Sequence, residues 1–139
     1  MATLGNYFTR KNPRKVVALK AHAPQWLRDA IREAHGDMLP NDWVYEACRD
    51  ASLAIDDGAL TDSDSVHQYA DGAVDIYTRD LAEWYRDMCH SDIYANAECE
   101  ADDCGSSDNG NVDARLRVIQ YFAIARIAQT VLGAWEASK

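Results

Sequence analysis

Apolar residues recur at helical spacing in several stretches of the chain, and clusters of turn formers separate them. Leu27, Ala30, Ile31 and Ala34 mark one face of a first helix. Pro24 suits its first position, where the missing proline N–H would have no partner, and Gly36 suits the left-handed residue that ends it, so the helix is expected over about Pro24 to His35. Asn41 is a good N-cap for a second helix, whose face carries Val44, Ala47, Cys48, Ala51 and Ile55 and which ends at Asp56-Asp57-Gly58.

The clearest amphipathic pattern follows the capping cluster Thr61-Asp62-Ser63-Asp64-Ser65. Val66, Ala70, Ala73, Val74, Tyr77, Leu81, Trp84, Tyr85 and Met88 fall in one arc at about 100° per residue. This predicts a single helix of roughly 25 residues, with Gly72 as its weak point, a place for close packing or a kink. Two carboxylate stripes flank the arc: Asp64, Asp71 and Asp75 on one side, Asp80, Glu83 and Asp87 on the other.

Ser91-Asp92 can open a short helix through Asn96 or Glu98, and residues 99–111, rich in turn formers, read as an exposed loop. The last helix is expected from about Val112 to Ala137. Tyr121, Ile124, Ala128, Val131, Leu132 and Trp135 form its stripe, while Val118, Ile119 and Phe122 lie on other faces. A helix apolar nearly all round is central to a bundle or carries a second interface, and the central position is favoured. Lys15-Val16-Val17-Ala18-Leu19-Lys20 fits either a short strand or a helical turn, and no second alternating segment is visible to pair with it. The expected class is therefore all-α, a compact bundle of four to five helices in one domain spanning residues 1–139, with residues 1–21 as a short basic arm.

Charge sharpens this picture. The 139 residues carry 23 acidic and 14 basic groups, a formal charge of -9. All six basic groups of residues 1–28 (Arg10, Lys11, Arg14, Lys15, Lys20, Arg28) precede the first acid, so the arm is +6 and the body is -15. Such an arm either folds back on the acidic body or frays. An acidic body argues against direct nucleic-acid binding, which needs clustered Lys and Arg to displace counterions. At 47% hydrophobic residues the chain has the material for a core. No stretch reads as a signal peptide or a membrane span, which leads to the expectation of a cytoplasmic protein with reduced thiols.

Candidate chemistry is sparse. Cys89, His90, Cys99 and Cys104 offer zinc-ligand types, but adjacent Cys89 and His90 diverge on a helix and four residues separate Cys99 from Cys104, so buried or incidental thiols are the simpler reading. Aligning Gly110 with the sixth position of a calcium loop puts Gly105 and Leu116 where carboxylates are required, which excludes that motif. His22, His35, His67 and His90 have no motif neighbours, and no nucleophile elbow, phosphate loop or HExxH occurs, so neither a catalytic role nor a cofactor is assigned. His67 and Asp71, four apart, read as a solvated helix pair. Trp26, Trp43, Trp84 and Trp135 each sit in a helical apolar pattern and read as one aromatic anchor per helix.

Pro40-Asn41-Asp42-Trp43-Val44-Tyr45-Glu46, followed by Val74-Asp75-Ile76-Tyr77-Thr78-Arg79-Asp80-Leu81-Ala82-Glu83-Trp84, resembles a pattern in small acidic accessory proteins carried by phages and plasmids. The likeness covers the middle helices, and that class includes anti-CRISPR and other anti-defence inhibitors. By class it implies a non-enzymatic inhibitor that presents an acidic surface to a nucleic-acid-binding host protein. The residues expected to meet such a partner are Asp64, Asp71, Asp75, Asp80, Glu83 and Asp87, whose carboxylates would stand in for phosphates. The alternative is a helical module that self-associates as a homodimer through Val118, Ile119 and Phe122.

Overall fold

The computed structural model describes residues 4–11, 16–36, 42–76, 81–103 and 112–139, and leaves the side chains of residues 10–18 and 75–76 undescribed. A 3-10 turn, Leu4–Tyr7, leads into strands β1 (Phe8–Lys11) and β2 (Val16–Leu19). Six helices follow: α1 (Gln25–His35), α2 (Asp42–Asp57), α3 (Ser63–Ile76), α4 (Leu81–Met88), α5 (Asp92–Asp103) and α6 (Val112–Ala137). The all-α character expected from periodicity holds, with six described helices in place of four or five.

The first helix begins one residue later than expected. Pro24 is extended (φ -68°, ψ 153°) and acts as the cap, so its missing N–H lies just outside the helix rather than at its first position. Gly36 ends α1 at φ 105°, its N–H donating to Arg32 O at 2.8 Å, and a Cβ there would collide with the Asp92 side chain. Only glycine meets both demands.

The capping cluster works as anticipated. Asp62 Oδ1 accepts the Ser65 N–H at 3.0 Å while Ser65 Oγ accepts the Asp62 N–H at 3.1 Å, a reciprocal arrangement that satisfies two of the orphan donors at the start of α3. The expected 25-residue helix corresponds to two described elements, α3 and α4, and the segment between them (77–80) lies outside the described residues.

Ser91 caps α5: its Oγ accepts the Tyr94 N–H at 3.2 Å and donates to Met88 O at 2.6 Å. α5 then runs to Asp103, so residues 99–103 are helical rather than part of the expected loop. The reason is tertiary, because Ala97 and Ala101, one turn apart, both bury against the core. Residues 104–111 of the expected loop, Cys104 among them, lie outside the described residues.

The N-terminal segment is also corrected. Strand β2 finds its antiparallel partner in β1, with Phe8 opposite Leu19 and Lys11 opposite Val16. Phe-Thr-Arg-Lys is too short and polar to show as an alternating run, and it is the closure of β1 on β2 that makes it a strand. Strand β2 and the 3-10 turn pack on α2, and Leu4 and Phe8 reach the core. Asp56 at the end of α2 accepts the backbone N–H groups of Leu4 and Gly5, both at 2.9 Å, which ties the turn down. The basic side chains of Arg10, Lys11, Arg14 and Lys15, which define the expected arm, lie outside the described residues.

The core gathers around α6, which packs against α1, α2, α3 and α5. Ile119, Ala123, Ile124, Ile127, Ala128, Val131 and Leu132 are all buried there on one broad arc, while Arg126, Gln129, Gly133 and Glu136 stay exposed on the remaining side. Trp43 and Trp84 are fully buried in an edge-to-face pair with centroids 5.5 Å apart, whereas Trp26 and Trp135 are only partly buried at the margin. Two anchors are thus central and two peripheral. Among the described residues, no helix is long and apolar enough to cross a membrane.

Candidate protein-binding face

Charge is distributed unevenly over the folded surface. On one side, Arg115 of α6 reaches Asp102 at 2.9 Å and Glu98 at 3.3 Å, and Arg126 reaches Glu100 at 3.5 Å, so cations of α6 meet the carboxylates of α5. The two carboxylates hold the Arg115 guanidinium above its usual range. The segment from the end of α2 through α3 has no comparable supply of its own. Residues 50–78 contain seven aspartates and neither lysine nor arginine, and the described part of this stretch, residues 50–76, forms the end of α2, the following turn and α3.

Asp64 is exposed in the first turn of α3, where the positive end of the helix favours a carboxylate. Asp71 is exposed one helical stretch later, its Oδ2 3.3 Å from His67 Nε2. His67 Nδ1 is hydrogen-bonded in turn to the Tyr121 hydroxyl, so the pair expected to be a solvated contact within one helix is the outer part of an Asp71–His67–Tyr121 chain joining α3 to α6. Sequence spacing finds i, i+4 neighbours, and Tyr121 lies 54 positions away. The chain of groups is open to solvent, with the His67 side chain 74% exposed.

Glu83 and Asp87 are exposed on α4. Asp80 and the side chain of Asp75 lie outside the described residues. The structure therefore places four of the six expected partner-binding carboxylates, and adds Asp57, Asp50 and Asp62, whose charge no helical stripe had singled out.

Asp57 is unusual. It ends α2, a helix with no basic residue in its last turn, so a carboxylate sits against the negative end of the backbone dipole. Its neighbour Asp56 is held by two backbone N–H groups, but Asp57 is exposed with no ion pair or hydrogen bond among the described residues. Beside it, α2 and α3 enclose an open groove of about 610 Å³ lined by Asp50, Leu53, Ala54, Asp57, Ala59, Gln68, Tyr69, Gly72 and Ala73. Gly72 does not serve close packing. A Cβ built on it meets no atom within 4 Å, because it faces this open space.

The other candidate sites fare differently. Ile119 is fully buried, and Val118 and Phe122 are half-buried against the same core, with Phe122 edge-on to Tyr121 at 5.0 Å. Ile119 thus presents no surface in the single chain, and of the three expected self-association residues only Val118 and Phe122 are partly exposed. Cys89 is half-buried at the end of α4, His90 is exposed beside it, and Cys99 is exposed on α5. Among the described residues no three metal-ligating side chains converge. Cys48 is fully enclosed, and burial pushes its thiol well above the ordinary range, which makes it inert.

No family model, curated protein or solved structure matches the chain.

Proposed function

We propose that the protein is a non-enzymatic inhibitor that docks its acidic α2–α3 face, continued by Glu83 and Asp87 on α4, onto a basic, nucleic-acid-binding surface of a host protein. The observation that carries this reading is the run of seven aspartates without a lysine or arginine over residues 50–78, on a fold whose other acidic helix, α5, is paired with arginines. A surface that needed carboxylates only for solubility would gain from interspersed cations, and among the described residues this one has cations only at its margins, Arg49 beside Asp50 and Arg86 beside Asp87. The resemblance to phage and plasmid accessory proteins supplies the class of partner: an anti-defence target such as a CRISPR effector, whose nucleic-acid channel is lined with Lys and Arg. Spaced carboxylates would take the place of phosphates, and the long-range attraction would speed encounter.

The test is capture of nucleic-acid-binding proteins from a bacterial lysate on the immobilised chain. Retention is expected at low salt, with release both by half-molar salt and by a competing duplex oligonucleotide, since screening shortens the reach of charge to a few ångströms. The combined variant Asp57→Lys, Asp64→Lys, Asp71→Lys should retain none of these proteins. If that variant held the same set as the wild type, the acidic face would have no part in binding.

A further inference from the structure

The groove between α2 and α3 has a composition that the general acidity of the face does not require. From α2 it takes Asp50, Leu53, Ala54 and Asp57, the i, i+3, i+4 and i+7 positions of one helical face, and from α3 it takes Gln68, Tyr69, Gly72 and Ala73. Its volume, about 610 Å³, lies in the range of sites that hold a ligand or a peptide side-chain cluster. The space exists because the residues that meet there are small. Ala54, Ala59, Gly72 and Ala73 leave it open, and at Gly72 there is nothing within 4 Å for a side chain to touch.

The walls are apolar and the anions stand at the rim. Asp50 is 3.6 Å from Arg49 and so is partly balanced, whereas Asp57 has no cation among the described residues and adds its charge to the carbonyl end of α2. Within the lining, the Tyr69 hydroxyl is buried without a hydrogen-bond partner among the described residues. Burial first, and then the neighbouring Asp50 charge, hold that phenol protonated, so it is a donor at neutral pH. An occupant must therefore supply an apolar body and a positive end. A metal ion has no use for apolar walls, and an acidic segment would be repelled.

We propose that this groove seats an arginine- or lysine-bearing apolar segment of the protein partner, its aliphatic stems against Leu53, Ala54 and Ala73 and its cation at Asp57. This rests on the acidic-face reading above and specifies where on that face recognition beyond simple charge occurs. The long stems of Arg and Lys cover apolar surface while their heads stay at a wet, anionic rim, and Asp57 occupies a position where it destabilises its own helix unless a cation arrives.

Fluorescence anisotropy with labelled, amidated peptides tests it. One probe alternates leucine and arginine, a second alternates serine and arginine at the same charge, and a third alternates leucine and glutamate. The wild type is expected to bind the leucine–arginine probe about tenfold or more tighter than the serine–arginine probe, the gain that corresponds to burying one leucine-sized side chain, and to ignore the glutamate probe. Gly72→Leu, which fills the groove from open space, should abolish that preference while leaving salt-sensitive binding of the serine–arginine probe intact. Ala59→Leu at the end of the same groove is the second plug should Gly72→Leu fail to fold, as judged by circular dichroism. Equal affinity for the two basic probes, or an unchanged preference in the plugged variant, would overturn the groove assignment and leave the acidic face standing. Failure of the wild type to bind either basic probe at low salt would instead remove the acidic-face reading itself.

Discussion

Cys48 shows how one buried group shapes the behaviour of the chain. Its ordinary thiol pKa is 9.0, and complete burial raises it strongly in the folded state. A folded-state pKa above the unfolded one means stability that is fully present below pH 9 and lost as pH rises, because the unfolded chain releases a proton that the folded chain retains. Tyr69 and Tyr94, ordinarily near 10.0, act in the same direction. Tyr94 is pushed up to about 12 by burial and then by Glu98 and Tyr85. The urea midpoint should therefore be flat from neutral pH to about 9 and decline beyond it, at up to about 1.4 kcal/mol per pH unit for Cys48 alone. In Cys48→Ala the decline should begin one unit later, with the tyrosines. A decline of identical onset in both proteins would assign it to other groups.

At the scale of single elements, the helices were largely legible, as were the ends of α1, α2 and α6, whereas the end of α5 was not. The stripes of α1, α2 and α3 follow from the i, i+3, i+4 spacing of their apolar residues, and the Asp62–Ser65 and Ser91 caps from the preference of short polar side chains for free N–H groups. The extension of α5 to Asp103 and the pairing of β1 with β2 were not legible, because Ala101 and Phe8 gain their reason to be ordered only from residues distant in sequence. Of the candidate site, the carboxylates of α3 and α4 were visible as stripes. The groove was not, since it needs the faces of two helices to meet, and Asp57 looked like an ordinary helix ending. Two substitutions test the idea that this region departs from what stability alone would select. Asp57→Asn removes a charge from the unfavourable end of α2 and should stabilise by about 0.3–1 kcal/mol. Gly72→Ala relieves the cost of a glycine within a helix without a clash and should stabilise by up to about 1 kcal/mol. A lower urea midpoint for Asp57→Asn would reveal a structural partner and weaken the binding role assigned to it.

For the molecule as a whole, α6 is the organising element, since its broad buried arc meets α1, α2, α3 and α5. Ile119→Ala should cost about 2–5 kcal/mol, the usual range for emptying a fully buried aliphatic site, and the unfolding midpoint should not change with protein concentration. A midpoint that rises with concentration would return Ile119 and its neighbours Val118 and Phe122 to a dimer interface. Composition and periodicity by themselves determined the helical class, the separation of a basic start from an acidic body, and the ordering of carboxylates along helices, because each depends only on residues within a few turns of one another. The tertiary structure alone decided which carboxylates meet a cation from a distant element. Arginines of α6 meet the carboxylates of α5, and only the packing of α2 beside α3 opens an apolar groove among the aspartates of those two helices.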